Sequence, residues 1–390
     1  MSTSYKQTEV GLIPGDWEVD YVGSIARVTT GARNTQDRLE GGLYPFFVRS
    51  QTAERINSYS YDGEAVLTAG DGVGTGKVFH YVNGKFDVHQ RVYRISDFSP
   101  RVNGYFFFCY FSSHFYNRIM QMTAKSSVDS VRREMITKML IALPSRREQD
   151  SIVEALKDAD HLIASLEQLV AKKRQIKQGA TQALLTRNKR LPGFTGDWAV
   201  KRLREVCRSI VDGTHFTPRY VDNGIPFYSV ENVTRNDFTN TRLISEEEHS
   251  RLIKRCKPEK GDILLTRIGS IGDTKLIDWD VEASIYVSLA LLKVNSLIDA
   301  RYLHCYTKSR RFIQDMEDRS LLNASPKKIN MGAIGDVPIA TPPLKEQMAI
   351  ANVLDELDHE ILALEGKLAK TQNIKQGMVQ QLLTGRSRLL

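Results

Sequence analysis

The sequence has 390 residues, with 54 Lys and Arg against 46 Asp and Glu and a formal charge of +8. At about 100–200 residues per domain, that length holds two or three cores and excludes a lone small module. A hydrophobic fraction of 41% is too high for a disordered chain and the 26% charged fraction is ordinary, so most of the chain should pack. No apolar run approaches the ~18 residues of a membrane-crossing helix. The polar opening Met1-Ser-Thr-Ser-Tyr-Lys has no apolar core of a secretory signal, so the expected compartment is the cytoplasm. Cys109, Cys207, Cys256 and Cys305 lie far apart with no CxxC. They predict neither a metal site nor a disulfide framework, but free thiols mostly within cores. The mild basic surplus permits a nucleic-acid partner without requiring one.

The chain is a duplication. Gly15-Asp16-Trp17 recurs as Gly196-Asp197-Trp198, and Pro45-Phe46-Phe47 recurs as Pro226-Phe227-Tyr228, both at a shift of 181 residues. Gly63-Glu-Ala-Val-Leu-Thr68 then matches Gly261-Asp-Ile-Leu-Leu-Thr266 at a shift of 198, so the second half has gained 17 residues between these landmarks (198 − 181). The longer shift also carries Pro144 and Glu148-Gln149 onto Pro342 and Glu346-Gln347. It carries Ile176-Lys-Gln-Gly179 onto Ile374-Lys-Gln-Gly377, and Leu184-Leu-Thr186 onto Leu382-Leu-Thr384. So many matches in register mark a repeat, to be recognised before any fold is assigned.

Composition divides the chain into four segments: globular 1–143, helical 144–190, globular 191–341 and helical 342–390. In the first, Glu64–Thr68, Val78–Val82 and Val88–Ile95 read as strands, as does Asp262–Thr266 in the third. Gly70-Asp-Gly-Val-Gly-Thr-Gly76-Lys77 superficially resembles a phosphate loop, which needs a helix N-terminus directly after it. Here Lys77-Val-Phe-His-Tyr-Val82 reads instead as a strand leading to a turn at Asn83-Gly84. The other half has Arg267-Ile-Gly-Ser-Ile-Gly-Asp-Thr-Lys275, keeping Gly272 and Lys275 in register with Gly74 and Lys77. Both predict a glycine-rich hairpin or bulge, suited to close approach of a DNA backbone. The aromatic run Tyr105–Phe111 shares Cys-Tyr with Arg301–Tyr306 and predicts a core helix rather than a base-stacking platform.

Segments 144–188 and 342–386 predict long helices. Ile152, Leu156, Ala159, Ile163, Leu166 and Val170 alternate by four and three residues, as do Ile350, Leu354, Leu357, Ile361, Leu364 and Leu368. That is an a/d heptad pattern, one narrow stripe that needs a partner helix. The repeat predicts that the two helices pair antiparallel with pseudo-two-fold symmetry, each spanning about 60 Å at ~1.5 Å per residue. Pro144 and Pro342-Pro343 mark their starts, with Glu148 and Glu346 in first turns where the macrodipole favours acids. The region 144–190 holds 10 basic and 6 acidic residues, and 342–390 holds 6 of each. Its Lys172-Lys173-Arg174 cluster reads as a solvated face or a phosphate contact.

The eight histidines form no HExxH or triad, and His161 and His359 fall at repeat-equivalent helix positions. There is no Asn/Asp-Pro-Pro-Tyr, since Thr341-Pro-Pro-Leu344 is only a helix start, and no Walker A or PD…ExK cluster. A two-lobed chain without catalytic constellations predicts recognition and scaffolding.

Two globular units alternate with two similar helices, introduced by Pro and Glu-Gln and closed by Ile-Lys-Gln-Gly and Leu-Leu-Thr. This organisation resembles the specificity subunit of a type I restriction-modification enzyme. Ile13-Pro-Gly-Asp-Trp17 and Leu191-Pro-Gly-Phe-Thr-Gly-Asp-Trp198 resemble the openings of its target recognition domains, and the likeness covers essentially the whole chain. It implies an α+β fold: two pseudo-repeated mixed α/β target recognition domains separated by two long helices in an antiparallel coiled coil. Each domain would read one half of a bipartite, asymmetric double-stranded DNA site. The helices would set the spacer, with about 15–18 bp as an upper bound from their length.

The resemblance further implies that Ile152, Leu156, Ile163, Leu166, Val170, Ile350, Leu354, Leu357, Ile361, Leu364 and Leu368 form the coil and partner interface. The helices would dock two modification (methyltransferase) subunits and, through them, two restriction/translocase subunits. S-adenosylmethionine, ATP and Mg2+ would belong to those partners, leaving this chain without cofactor and non-catalytic. Candidate DNA contacts, by repeat position, come first from Arg49, Ser50, Gln51 and Thr52 and from Glu231, Asn232, Thr234 and Arg235, read as loops after the Pro-aromatic-aromatic strands. The glycine loops offer Gly72, Gly74, Thr75 and Lys77, and Arg267, Ser270 and Lys275. The polar segments before the helices offer Lys125, Ser126 and Ser127, and Ser325, Lys327 and Lys328. Two other readings stand beside this one: a self-contained methyltransferase or nuclease with a diverged active site, and a coiled-coil adaptor with no DNA role.

Overall fold

The computed structural model describes residues 4–122, 130–321 and 324–389. The chain divides into two compact units, Met1–Glu167 with Gly366–Leu390, and Gln168–Glu365. Both boundaries fall inside long helices, Arg146–Leu185 and Leu344–Leu382. The units therefore differ from the four compositional segments, because each core takes in the head of one helix and the tail of the other. In unit 1, Ile152 and Leu156 join Leu382 and Leu383 in one apolar cluster. In unit 2, Leu184 and Leu185 join Ile350 and Leu354 in another.

The helices begin just past Pro144 and Pro343, since a residue preceding proline is disfavoured in the α region. Ser145 caps the first, its hydroxyl accepting from the Glu148 N–H at 3.2 Å. Left-handed residues follow both C-termini at repeat-equivalent positions, Arg187 (φ 62°) and Gly385 (φ 68°). Arg187 shows that a side chain can take this conformation, but a Cβ at Gly385 would meet Pro14 Cδ at 2.4 Å, so the close approach requires glycine there.

Along the predicted stripe, Ile152, Leu156, Leu166, Val170, Ile350, Leu354 and Ile361 are buried. Ile163, Leu357, Leu364 and Leu368 are half-buried. The helix segments within each unit run antiparallel. In unit 2, Lys173 pairs with Glu360 at 2.6 Å and Lys177 pairs with Asp358, so partner numbers fall as the first helix advances. In unit 1, Glu148 pairs with Arg388 and Asp160 with Lys375. The Lys172–Arg174 cluster is largely engaged, because Arg174 also pairs with Glu365 at 2.6 Å.

Glu148 and Glu346 are not exposed acids at a helix start: they are 2% and 0% exposed. Glu148 accepts from Trp17 Nε1 at 3.1 Å and from Arg388. Glu346 accepts from Trp198 Nε1 at 3.2 Å and from Arg190 at 2.9 and 2.6 Å. The neighbouring Gln149 and Gln347 are also fully buried. Each accepts a backbone N–H, from Asn103 and Asp299 respectively, and donates to carbonyls before its helix, Pro144 and Pro342. The repeated Gly-Asp-Trp and Glu-Gln motifs thus lock each globular part onto the head of its helix.

In unit 1 a six-stranded sheet runs in the order Arg27–Thr30, Val92–Ser96, Tyr61–Ala69, Phe79–Val88, Tyr44–Phe47, Glu54–Ile56. Phe79–Val88 does not turn at Asn83-Gly84: Gly84 stays in register opposite Gly63. The glycine pair prolongs the ladder where a turn was expected, and the reversal is at the glycine loop before it, the hairpin position that the sequence predicts. The expected strand Val88–Ile95 is broken by a turn, with Val92 N–H bonded to the His89 carbonyl at 2.9 Å. The aromatic run forms the helix Gly104–Gln121, whose Phe106, Phe107, Phe111 and Phe115 are fully buried, as a core helix requires.

Unit 2 repeats this order with one break. Where unit 1 has the continuous Phe79–Val88, unit 2 has Thr274–Leu276 and Ser284–Ile285. With the added strand Tyr220–Val221 paired to Arg242–Ile244, this break gives two four-stranded sheets instead of one of six. The parallel pairing is kept: Phe46 faces Asp87 in unit 1 and Phe227 faces Ser284 in unit 2.

Candidate nucleic-acid interface

Segments distant in sequence converge at one end of each unit. In unit 1, the glycine loop joins strands Tyr61–Ala69 and Phe79–Val88, with Gly72 and Gly76 at φ 80° and 67°. These left-handed residues fold the loop on itself, and Thr75 donates through Oγ1 to the Gly72 carbonyl at 2.6 Å. Arg49–Thr52 lies against it: Arg49 Nη1 reaches Asp71 at 2.8 Å, and the Ser50 carbonyl lies 3.0 Å from His80 Nε2. Arg91 meets the other Asp71 oxygen at 3.3 Å. Two guanidinium groups thus share one carboxylate, leaving a net positive patch beside the exposed loop tip. Burial, and then the charge of Arg49, lowers the pKa of the adjoining His89, and burial also lowers that of His80. Both are neutral at neutral pH, so arginine carries the charge of this patch.

In unit 2, the loop after Ile263–Thr266 meets the segment preceding the second long helix. Gly269 N–H donates to the Lys327 carbonyl at 2.8 Å, and Ile329 N–H to the Arg267 carbonyl at 3.0 Å. Ser288 ties in the third segment, accepting Val230 N–H on its hydroxyl at 3.1 Å and Arg267 N–H on its carbonyl at 2.9 Å.

The candidate residues separate by exposure. Arg49, Ser50, Gln51, Thr52, Gly72, Lys77, Glu231, Thr234, Arg235, Ser270, Ser325 and Lys328 are exposed, while Gly74, Lys275 and Lys327 are half-buried. Lys125, Ser126 and Ser127 lie outside the described residues. Three candidates are buried: Thr75, Asn232 and Arg267 are 4%, 9% and 8% exposed. Thr75 closes its own turn. Asn232 belongs to the helix Val230–Arg235, not to a loop, and donates to the Asp237 carbonyl at 3.0 Å. Arg267 donates to the Val287 carbonyl at 2.9 Å and pairs with Asp212 at 3.4 Å. Desolvation lowers its pKa while Asp212 opposes that shift. Its guanidinium is an internal brace. Lys275 sits past the loop with its ammonium 5.8 and 5.7 Å from the rings of Phe238 and Trp279.

One further loop at the same end of unit 2 went unread in the sequence. Asp212, buried between Arg255, Arg267 and His215, anchors residues 213–219. These present Phe216 to solvent at 77% exposure. The available signal was a glycine pair at a shift of 182, Gly31 and Gly213. A Cβ there would lie 1.8 Å from the Val88 carbonyl oxygen and 2.1 Å from that of Ile285. In both units the chain crosses the parallel strand pair at a point only glycine can occupy.

The arrangement offers exposed arginine, lysine, amide and hydroxyl groups on glycine-rich turns, the donor set that positions on phosphates and reads base edges. The family model described as "Type I restriction modification DNA specificity domain" matches residues 14–178 and 195–376. The type I restriction enzyme EcoDI specificity subunit of Escherichia coli is 24% identical, over 96% of this chain and 89% of its own. The MjaVIII specificity subunit of Methanocaldococcus jannaschii is 22% identical, over 99% and 96%. Among solved structures, the S subunit of a type I system from M. genitalium has a TM-score of 0.63 at 16% identity, covering 98% of this chain and 99% of its own. The HsdS subunit from Thermoanaerobacter tengcongensis has a TM-score of 0.52 at 17% identity, covering 96% and 98%. With the family model matching both halves of a repeated fold, the chain belongs to the type I restriction-modification DNA specificity subunits and serves in DNA sequence recognition.

Proposed function

We propose that each unit reads one half of a bipartite, asymmetric double-stranded DNA site through its converged loops, and that the long helices set the spacer. The observation that carries this reading is the repeated convergence: the segment after the Pro-aromatic-aromatic strand meets the glycine loop at one end of each unit, over a shared strand plan. In this reading the chain itself is non-catalytic and holds no cofactor. Two modification (methyltransferase) subunits dock on the helices and supply S-adenosylmethionine chemistry. Two restriction/translocase subunits join through them and use ATP and Mg2+, and the complex acts in the cytoplasm. A second stripe on the first long helix supports docking: Leu162, Leu169 and Ile176, seven residues apart, are 44%, 39% and 46% exposed. No described helix is long and apolar enough to cross a membrane.

The test is a short insertion in the middle of helix Arg146–Leu185, assayed by modified-base mapping with the reconstituted complex. The spacer should change while both half-sites stay the same; an altered half-site would contradict this division of roles.

A further inference from the structure

Unit 2 contains a cleft of about 900 Å³ between its pair of long-helix segments and the short helices Ala300–Thr307 and Arg310–Asp318. Its lining holds seven Lys and Arg against three Asp. Two of the acids are engaged: Asp358 pairs with Lys177, and Asp355 with Arg301 at 3.4 Å. Lys275, Lys308 and Arg310 have no carboxylate partner among the described residues. Leu276, Leu354 and Ile361 supply apolar lining. His304 also lines the cleft, and its Nε2 is buried with no hydrogen-bond partner among the described residues.

The duplication provides an internal comparison. Arg301, His304 and Lys308 correspond, at a shift of 196, to Tyr105, Phe108 and Ser112 of unit 1. There the rings of Tyr105 and Phe108 pack on Tyr81 at 4.9 and 6.0 Å, and Tyr105 donates to Asp160 at 3.1 Å. One copy fills the junction with rings; the other lines it with cations.

We infer that the unit 2 cleft is an anion site for a phosphate ester carrying two or more negative charges. Lys275, Lys308 and Arg310 supply the unneutralised charge. Desolvation, followed by the charge of Lys177, lowers the pKa of Lys308. Burial takes His304 down to about 3, so the imidazole is neutral. Burial is the larger cause of both shifts, and the charges of neighbouring lysines add a repulsion that a bound anion would relieve. The site stands apart from the DNA reading, since a chain that recognised no DNA sequence would still bind the anion.

Isothermal titration of the full chain with pyrophosphate tests it. Saturable one-site binding is expected, weakened at least tenfold in Lys308→Ser, which installs the unit 1 residue, and in Arg310→Ser, and retained in Lys308→Arg. Circular dichroism verifies that each variant is folded. If a DNA duplex displaces pyrophosphate, the ligand is a pair of neighbouring backbone phosphates with one charge each; if both bind together, it is a free phosphate ester. Either result supports the site. No saturable binding to the folded chain, or equal affinity in both serine variants, overturns it.

Discussion

Arg388, near the end of the chain, grips Glu148 in the first turn of the first long helix through two hydrogen bonds of 2.5 and 2.8 Å. Glu148 is 2% exposed and the Arg388 side chain 11%, so this is a buried, bidentate ion pair that also accepts the Trp17 indole. Removing Glu148 leaves the Trp17 indole N–H unpaired and Arg388 with Asp16, at 2.8 and 3.0 Å, as its remaining carboxylate partner. Glu148→Ala should therefore cost roughly 2–4 kcal/mol. Arg202→Ala, which breaks an exposed pair with Asp336, should cost less than about 1 kcal/mol. Urea unfolding of both variants checks the contrast.

Asp87 makes unit 1 sensitive to acid. Its carboxylate is buried, which by itself raises the pKa. Hydrogen bonds from Ser60, Ser58, the Val88 N–H and Arg33 outweigh burial and hold it below the ordinary value of 3.8. The unfolded chain thus takes up this proton first as pH falls. The contribution is complete above about pH 5 and is lost below about pH 4, toward the lower folded pKa. Melting temperatures between pH 2.5 and 7 should fall less steeply in acid for Asp87→Asn than for the unmodified chain.

Burial pushes the thiols of Cys109, Cys207 and Cys256 up to about 12 and that of Cys305 up to about 11. Since the thiolate is the reactive form, none should react appreciably with a disulfide reagent at pH 8 in the folded chain. All four should react on unfolding. Fast modification before unfolding would contradict the packing of the two repeat-equivalent helices that carry Cys109 and Cys305.

Arg49 and Phe216 should weaken DNA binding in different ways. Arg49→Ala removes a cation from the glycine-loop patch, so affinity should fall on all sequences and the salt slope should drop by about 1. Phe216→Ala removes an exposed ring, so affinity should fall with the salt slope unchanged. Fluorescence anisotropy at several salt concentrations, on the complex reconstituted with its modification subunits, separates the two effects.

The repeat, the heptad stripes and the core helix at Tyr105–Phe111 were legible because each is periodic or repeated in register. Glu148 and Glu346 lie in the first turns as expected, but their bonds to tryptophan were not legible, since Trp17 is 131 residues before Glu148. Asn83-Gly84 was misread because a turn dipeptide carries no record of the strand facing it, and here Gly63 lies opposite. Arg267 and Asn232 looked like contacts because loop residue types do not reveal burial. Phe216 was passed over because its loop is held by Asp212, Arg255 and Arg267, three residues separated in sequence.

Modified-base mapping of random-sequence DNA exposed to the complex reconstituted with its modification subunits tests the central claim most directly. The wild-type chain should yield two short half-sites flanking a spacer of fixed length and no sequence preference. Gln51→Ala should alter or relax one half-site and leave the other unchanged. A single contiguous motif, or both half-sites changing together, would contradict the assignment of one half-site to each unit.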